Sequence, residues 1–226
     1  MSDIQRKIRS FVRREGRMTA AQTRALDELW PHYGIDSLDQ ELDFKALFGN
    51  QNPVTLEIGF GNGESLAAMA ATSPAKNFVG IEVHRPGVGN LMIQAEKHQL
   101  ENLRIIVDDA VDMLEKILPD SSLDCVQIFF PDPWHKKRHH KRRLIQTGFI
   151  DLLASKQTST GVLHLATDWE DYAEHILEIL TQHPQYKLFT PASEFHTRPA
   201  HRPETKFERR GLKLGHRIWD LIYHRE

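Results

Sequence analysis

At 226 residues, 40% hydrophobic and 27% charged, the chain is long enough to bury one sizeable core and has the composition of an ordered domain rather than a disordered one. Its net charge of -2, from 29 Lys and Arg against 31 Asp and Glu, advertises no polyanionic partner as a whole, and the single Cys125 excludes a disulfide framework or a cysteine zinc site within one chain. Nowhere do 18 apolar residues run together and the charged start carries no apolar leader, so a cytoplasmic protein without membrane association is expected.

The charge is unevenly spread. Basic residues crowd into 6–17, 136–143 and 198–217, and acids into 27–43 and 168–178, so local patches set the field a ligand meets. Residues 1–17 read as a basic arm. Thr19 with Gln22 forms a capping-box pattern that opens a helix over AAQTRALDELW, which Pro31 closes. Residues 1–52 are therefore expected to be a basic arm and helical preface, and 53–226 the main domain.

From Pro53 the pattern alternates. Strands VTLEIGF, FVGIEV, LRIIVDD, LDCVQIFF and GVLHLATD are followed by helices from Glu64, around Val88 to Gln99, from Val111, from Leu144 and from Trp169. Near-continuous apolar strands separated by helices predict an α/β class, with a mostly parallel sheet covered on both faces. YKLFT and RIWDLIYHR follow with no helix expected between them, as a hairpin-like pair giving a late antiparallel edge strand. Thr205, Lys206 and Glu208 fall in a polar loop before the last strand.

The first strand ends in EIGFGNG, where Gly59, Gly61 and Gly63 allow a tight turn and close backbone approach to a ligand at the carboxyl edge. Glu64 stands where a dinucleotide fingerprint wants its last glycine or alanine, which counts against NAD or FAD. Glu82 ends the second strand, placed to accept from ribose hydroxyls, and Asp108 and Asp109 end the third, placed to accept from an adenine amino group. Acids repel pyrophosphate but suit a cationic sulfonium, so S-adenosylmethionine is the expected cofactor.

The fourth strand runs into FFPDPWHKKRHHKRRL. Pro131 and Pro133 fix the backbone around Asp132, opposite the cofactor at the switch point, and Trp134 offers a face for a base. Six Lys and Arg between His135 and Arg143 repel one another, a cost that phosphate offsets, so a nucleic acid is the expected partner. His135 and His139 lack a third metal ligand, and no metal is expected. A guanine suits the corner: its N1 and N2 donors pair with a carboxylate, and its N7 lone pair attacks a methyl sulfonium with no prior proton removal. Asp168, ending the fifth strand, either shares that recognition or caps the helix beginning at Trp169.

The pieces IRSFVRREGRMT, LEIGFGNGESL, GIEVH, FFPDPWHKKRHHKRR, ATDWEDYA and TKFERRG together resemble the bacterial tRNA (guanine-N7)-methyltransferases of the TrmB type over nearly the whole chain. The resemblance implies a class I S-adenosylmethionine-dependent methyltransferase sheet of Rossmann-like form and methylation of guanosine N7 in the tRNA variable loop. It implies that Glu57, Glu82, Asp109 and Asp132 bind the cofactor beside Gly59, Gly61 and Gly63, with Asp132 also catalytic. Lys136, Asp168, Thr205, Lys206, Phe207 and Glu208 match its substrate-contacting positions, and Arg138, His139, His140, Lys141, Arg142 and Arg143 its RNA-contacting run. Asn62 and Lys137 depart from the family pattern without touching a group the chemistry needs. A non-enzymatic RNA-binding protein on the same fold, a nicotinamide oxidoreductase and a small-molecule methyltransferase are the competing readings, and the oligomeric state, monomer or homodimer, is open.

Overall fold

The computed structural model describes residues 10–11, 16–36 and 40–226. Most of the expected basic arm lies outside the described residues. Seven strands form one sheet: β1 (Val54–Ile58), β2 (Asn77–Ile81), β3 (Leu103–Ile106), β4 (Leu123–Phe129), β5 (Gln157–Thr167), β6 (Tyr186–Leu188) and β7 (Trp219–Arg225). Their order is β3-β2-β1-β4-β5-β7-β6, with β1 to β5 parallel and β7 antiparallel to both β5 and β6. The late strands thus pair at one edge, as the sequence predicts. Among the described residues no helix is long and apolar enough to cross a membrane.

All five residues of β1 and all five of β2 are buried, which is why these strands read as continuous apolar runs. Alternate side chains go to opposite faces. On one face Phe78, Leu103 and Ile105 pack against α4 (Glu64–Thr72), α5 (Arg85–Lys97) and α1 (Ala20–Glu28) through Leu66, Leu91, Met92 and Ala25. On the other, Leu56, Val79, Val126 and Leu163 meet α6 (Ala110–Lys116), α7 (Thr147–Lys156) and α8 (Glu170–Gln182) through Leu114, Leu153 and Ile176. Each fully buried Leu or Ile contributes roughly 1.5–3 kcal/mol relative to exposure.

The preface begins as expected: Thr19 Oγ1 accepts from the Gln22 amide and the Gln22 side chain accepts from the Thr19 amide. Pro31 does not simply stop the chain; it sits in the first turn of α2 (Trp30–Tyr33), where its missing N–H is no loss. A further short helix, α3 (Phe44–Phe48), is capped by Asp43.

Two expectations need correction. A helix intervenes between β6 and β7: α9 (Lys206–Lys213), opened by a complete capping box in which Thr205 Oγ1 accepts from the Glu208 amide and the Glu208 carboxylate accepts from the Thr205 amide. The T-x-x-E spacing carried the signal, but α9 has no apolar stripe to draw the eye, since it buries only Glu208 and Gly211. The helix expected from Leu144 starts at Thr147, because a 3₁₀ turn over Lys137–Arg142 first brings the chain back to the core at Ile145.

Candidate active site

A cavity of about 500 Å³ opens at the carboxyl ends of β1, β2 and β4, at the point between β1 and β4 where the strand order reverses. Open α/β sheets bind ligands there, and this volume suits a nucleoside-sized molecule.

The glycine loop forms one wall. Gly59, Gly61 and Gly63 have φ of 76°, 58° and 74°, a left-handed conformation that side-chain-bearing residues resist. Glu82 holds the loop in place: its Oε2 accepts from the Gly61 amide at 2.9 Å, while Oε1 accepts from Val83 and His84 amides at 2.7 and 3.0 Å. Those bonds use three of about four acceptor positions of the carboxylate, so one remains for a ligand hydroxyl.

Gly87, which sequence reasoning passed over, packs against this loop outside the cavity lining. A Cβ there would lie 1.9 Å from the Gly61 carbonyl oxygen, which is backbone and cannot swing aside. Gly87→Ala is therefore expected to displace the loop, costing about 1–3 kcal/mol of stability and cofactor affinity as well. Thermal melts and calorimetry check this; unchanged affinity would show that the loop tolerates the shift.

Two buried polar groups face the cavity without a partner among the described residues, Glu57 Oε2 and Ser65 Oγ. Glu57 is only 2% exposed, and burial, followed by the charge of Glu82, pushes its carboxyl from the ordinary 4.5 up to about 8. It is uncharged at neutral pH. Such a raised acid keeps its proton in the folded state where the unfolded chain has lost it, so stability falls as pH rises through that window. Glu57→Gln should gain on the parent between about pH 5 and about pH 8, by on the order of 5 kcal/mol at the top. Denaturant melts at both ends measure it, and a pH-independent difference would contradict it.

Asp109 is 7% exposed and caps α6, its Oδ1 accepting from the Val111 amide at 3.0 Å, while Asp108 Oδ1 accepts from the Asp109 amide at 2.7 Å. Both line the cavity, as does Asp132 at the end of β4. The corner around Asp132 is strained: Phe130 and Trp134 have φ of 54° and 48°. Such conformations persist only where the surroundings enforce them, and they cluster at functional sites.

Trp134 is engaged by its neighbours on one side. The Arg142 guanidinium lies 3.9 Å from its ring centroid, its Nε1 donates to the Ser10 carbonyl at 3.0 Å, and Arg142 Nη2 donates to the Phe11 carbonyl at 3.4 Å. The indole is packed against the basic run and the arm, and the Arg142 guanidinium covers one of its faces. Ser10 and Phe11 reach the cavity by this route, a long-range contact that no local sequence pattern announces.

Within the basic run, Lys136, Lys137, Arg138 and Lys141 are exposed, and His139, His140 and Arg142 are half-buried. Arg143 is the exception. It pairs with Asp171 of α8, donates from Nε to the Pro133 carbonyl at 3.0 Å and lies 4.8 Å from the Tyr172 ring, with 1% of its side chain exposed. Expected at an RNA surface, it instead bolts the corner to α8, because its position after the 3₁₀ turn points it inward.

Asp168 does not cap α8, which starts at Glu170 without a side-chain cap. Its Oδ2 lies 3.3 Å from His216 Nδ1, and it packs so closely on α9 that a Cβ on Gly211 would come within 2.8 Å of it. Thr205, Lys206 and Phe207 line the cavity, with Phe207 55% exposed. Glu208, expected among the substrate contacts, is 4% exposed and is taken up by the cap and by Arg202 Nη1 at 2.6 Å. Arg210, one turn on, is a lining residue the sequence did not single out. Among the described residues no group of three His, Cys, Asp or Glu is arranged to hold a metal.

Comparison with known proteins points one way. Residues 51–221 match the model of a family described as "Putative methyltransferase". The chain is 54% identical to a tRNA (guanine-N(7)-)-methyltransferase of Idiomarina loihiensis, covering 96% of this chain and 89% of that one. It is 53% identical to one of Alcanivorax borkumensis, covering 98% and 93%. Among solved structures, the 16S rRNA methyltransferase KamB shares the fold at a TM-score of 0.56 and 15% identity, over 86% of this chain and 99% of that one.

Proposed function

Because this chain belongs to the tRNA (guanine-N7-)-methyltransferase family, we propose that Asp132 and the cavity around it carry out that reaction, with the exposed cations beside it gripping the RNA. The protein transfers a methyl group from S-adenosylmethionine to N7 of a guanosine in tRNA, forming 7-methylguanosine. The observation that carries the assignment of residues is the meeting, on one cavity, of the glycine loop, the acids ending β1 to β4 and a corner leading directly into exposed Lys136, Lys137, Arg138 and Lys141.

The residues present fit the cofactor. Glu57 and Ser65 offer unpartnered polar atoms, Glu82 keeps one acceptor position, and the walls admit a nucleoside. Bound there, S-adenosylmethionine supplies a methyl group on a positively charged sulfur. Glu82 would accept from a ribose hydroxyl, and Asp109 would receive the adenine amino group. Asp132 would accept from guanine N1 and N2, orient the base and stabilise the positive charge that the ring gains. No proton leaves before attack, so Asp132 acts by position and charge, and the reaction needs no metal.

Lys136 and Asp168, with Thr205 capping α9 and Lys206 and Phe207 on it, hold the nucleoside. Arg138, His139, His140, Lys141 and Arg142 meet phosphates, while Arg143 and Glu208 support them from inside. The target is the variable loop, reached by a catalytic domain of residues 53–226 with 1–52 as a basic arm and helical preface. The protein works in the cytoplasm, as a monomer or a homodimer.

Incubation with labelled S-adenosylmethionine and unmodified tRNA, followed by digestion to nucleosides, tests the reading. Label in 7-methylguanosine is expected. Label in another nucleoside would move the target atom, and none at all would remove the assignment.

A further inference from the structure

The helix α9 presents a problem of anchoring. It carries Lys206, Phe207 and Arg210 to the cavity, yet the two residues it buries, Glu208 and Gly211, have no apolar side chain. Its Phe207 and Leu212 are 55% and 51% exposed, and Leu214 just beyond it 64%. Burial of apolar surface, the usual force that docks a helix, is slight here, since neither apolar side chain of the helix is more than half covered.

What holds α9 is a buried charge. The Arg202 side chain is 0% exposed. Its Nε and Nη2 meet both oxygens of Asp220 on β7, each at 2.7 Å, and its Nη1 meets Glu208 Oε2 at 2.6 Å. The same guanidinium lies 5.6 and 5.8 Å from the rings of Phe129 and Phe130, at the end of β4 and two residues before Asp132. Behind it, His164 Nε2 lies 2.8 Å from Asp220 Oδ1 and fixes that carboxylate from β5. One planar group thus ties the capping box of α9 to β7 and to the strand that delivers Asp132.

A buried ion cluster of this kind is a poor source of stability, since apolar residues of the same volume often do as well or better. It is a good source of geometry. The guanidinium fork matches a carboxylate in one orientation, which a lysine ammonium does not reproduce.

We propose that Arg202 is a positioning residue for methyl transfer, fixing α9 against the sheet so that Lys206, Phe207 and Arg210 meet the target nucleoside in register with Asp132. The proposal rests on the reading of the cavity as a tRNA methylation site. Arg202 touches no substrate. It acts through Glu208, and so on the alignment of the nucleoside more than on cofactor binding.

The test uses the full-length Arg202→Lys variant, with Asp220→Asn as a second that keeps the shape but removes the charge and one of the two acceptors. In Arg202→Lys, amides of residues 207–214 are expected to exchange at least about tenfold faster while β1 and β4 keep their protection. With tRNA, kcat/KM should fall by about 10- to 100-fold, the range a misplacement of about 1 Å produces, while cofactor affinity by calorimetry changes less than about threefold. Parental exchange in α9 with parental kinetics would overturn the proposal, and so would protection lost evenly over the sheet or an equal loss of cofactor affinity. If Arg202→Lys does not fold, Asp220→Asn decides by the same measurements, with a milder shift of the same pattern expected. Absence of tRNA methylation by the parent protein would count against the site assignment alone, since the exchange of α9 still reports on the clamp.

Discussion

Asp132→Ala is expected to lower kcat for tRNA methylation by about 10²- to 10³-fold, the loss seen when one preorganised charge-stabilising group is removed. Asp132 stands exposed on the cavity rim, held between two prolines at a corner whose neighbours Phe130 and Trp134 adopt left-handed backbone. Its removal therefore leaves the apolar core untouched, and folding should be within about 1.5 kcal/mol of the parent. Asp132→Asn keeps the shape but loses the charge and sets an NH2 donor against one of the two guanine donors, so it should recover little of the loss. Single-turnover transfer at saturating cofactor measures both variants. A folded Asp132→Ala protein that retains kcat within about tenfold would take this carboxylate out of the reaction.

The second large effect belongs to the basic run. Lys137, Arg138 and Lys141 lie exposed on the 3₁₀ turn over Lys137–Arg142. Replacing all three by alanine should weaken tRNA binding by about 10- to 100-fold near physiological salt and reduce the slope of log affinity against log salt by about 2. The contrast is Arg143→Ala. Because Arg143 is turned inward onto Asp171 and the Pro133 carbonyl, its loss should lower the melting temperature and leave the salt slope nearly alone. Equal salt slopes for the triple variant and the parent would show that phosphate is held elsewhere.

These two variants mark where the sequence is legible and where it is not. The strands could be read because two-sided burial writes itself as unbroken apolar runs, as in VTLEI and NFVGI. The loop at Gly59, Gly61 and Gly63 could be read because positive φ selects glycine. The acids ending successive strands could be read because parallel strands bring their carboxyl ends to one edge.

What stayed hidden depends on contacts distant in sequence. Six cations in nine residues say that phosphate is near, but not that Arg143 turns inward; that follows from Asp171 and Tyr172 on a helix some thirty residues on. Trp134 gives no local sign of its Arg142 and Ser10 contacts, because these come from folding of the corner and the arm. The helix α9 announces itself only by Thr205 and Glu208, since its anchor is a buried guanidinium rather than an apolar stripe. Gly87 gives no local sign that a Cβ there would come within 1.9 Å of the Gly61 carbonyl oxygen, because that partner lies in the loop after β1.

The most direct measurement is chain scission of tRNA after incubation with the protein and S-adenosylmethionine, using borohydride reduction and aniline, which break RNA at 7-methylguanosine. One cut, within the variable loop and dependent on Asp132, is the predicted result. Intact tRNA, despite a folded protein that binds S-adenosylmethionine, would contradict it.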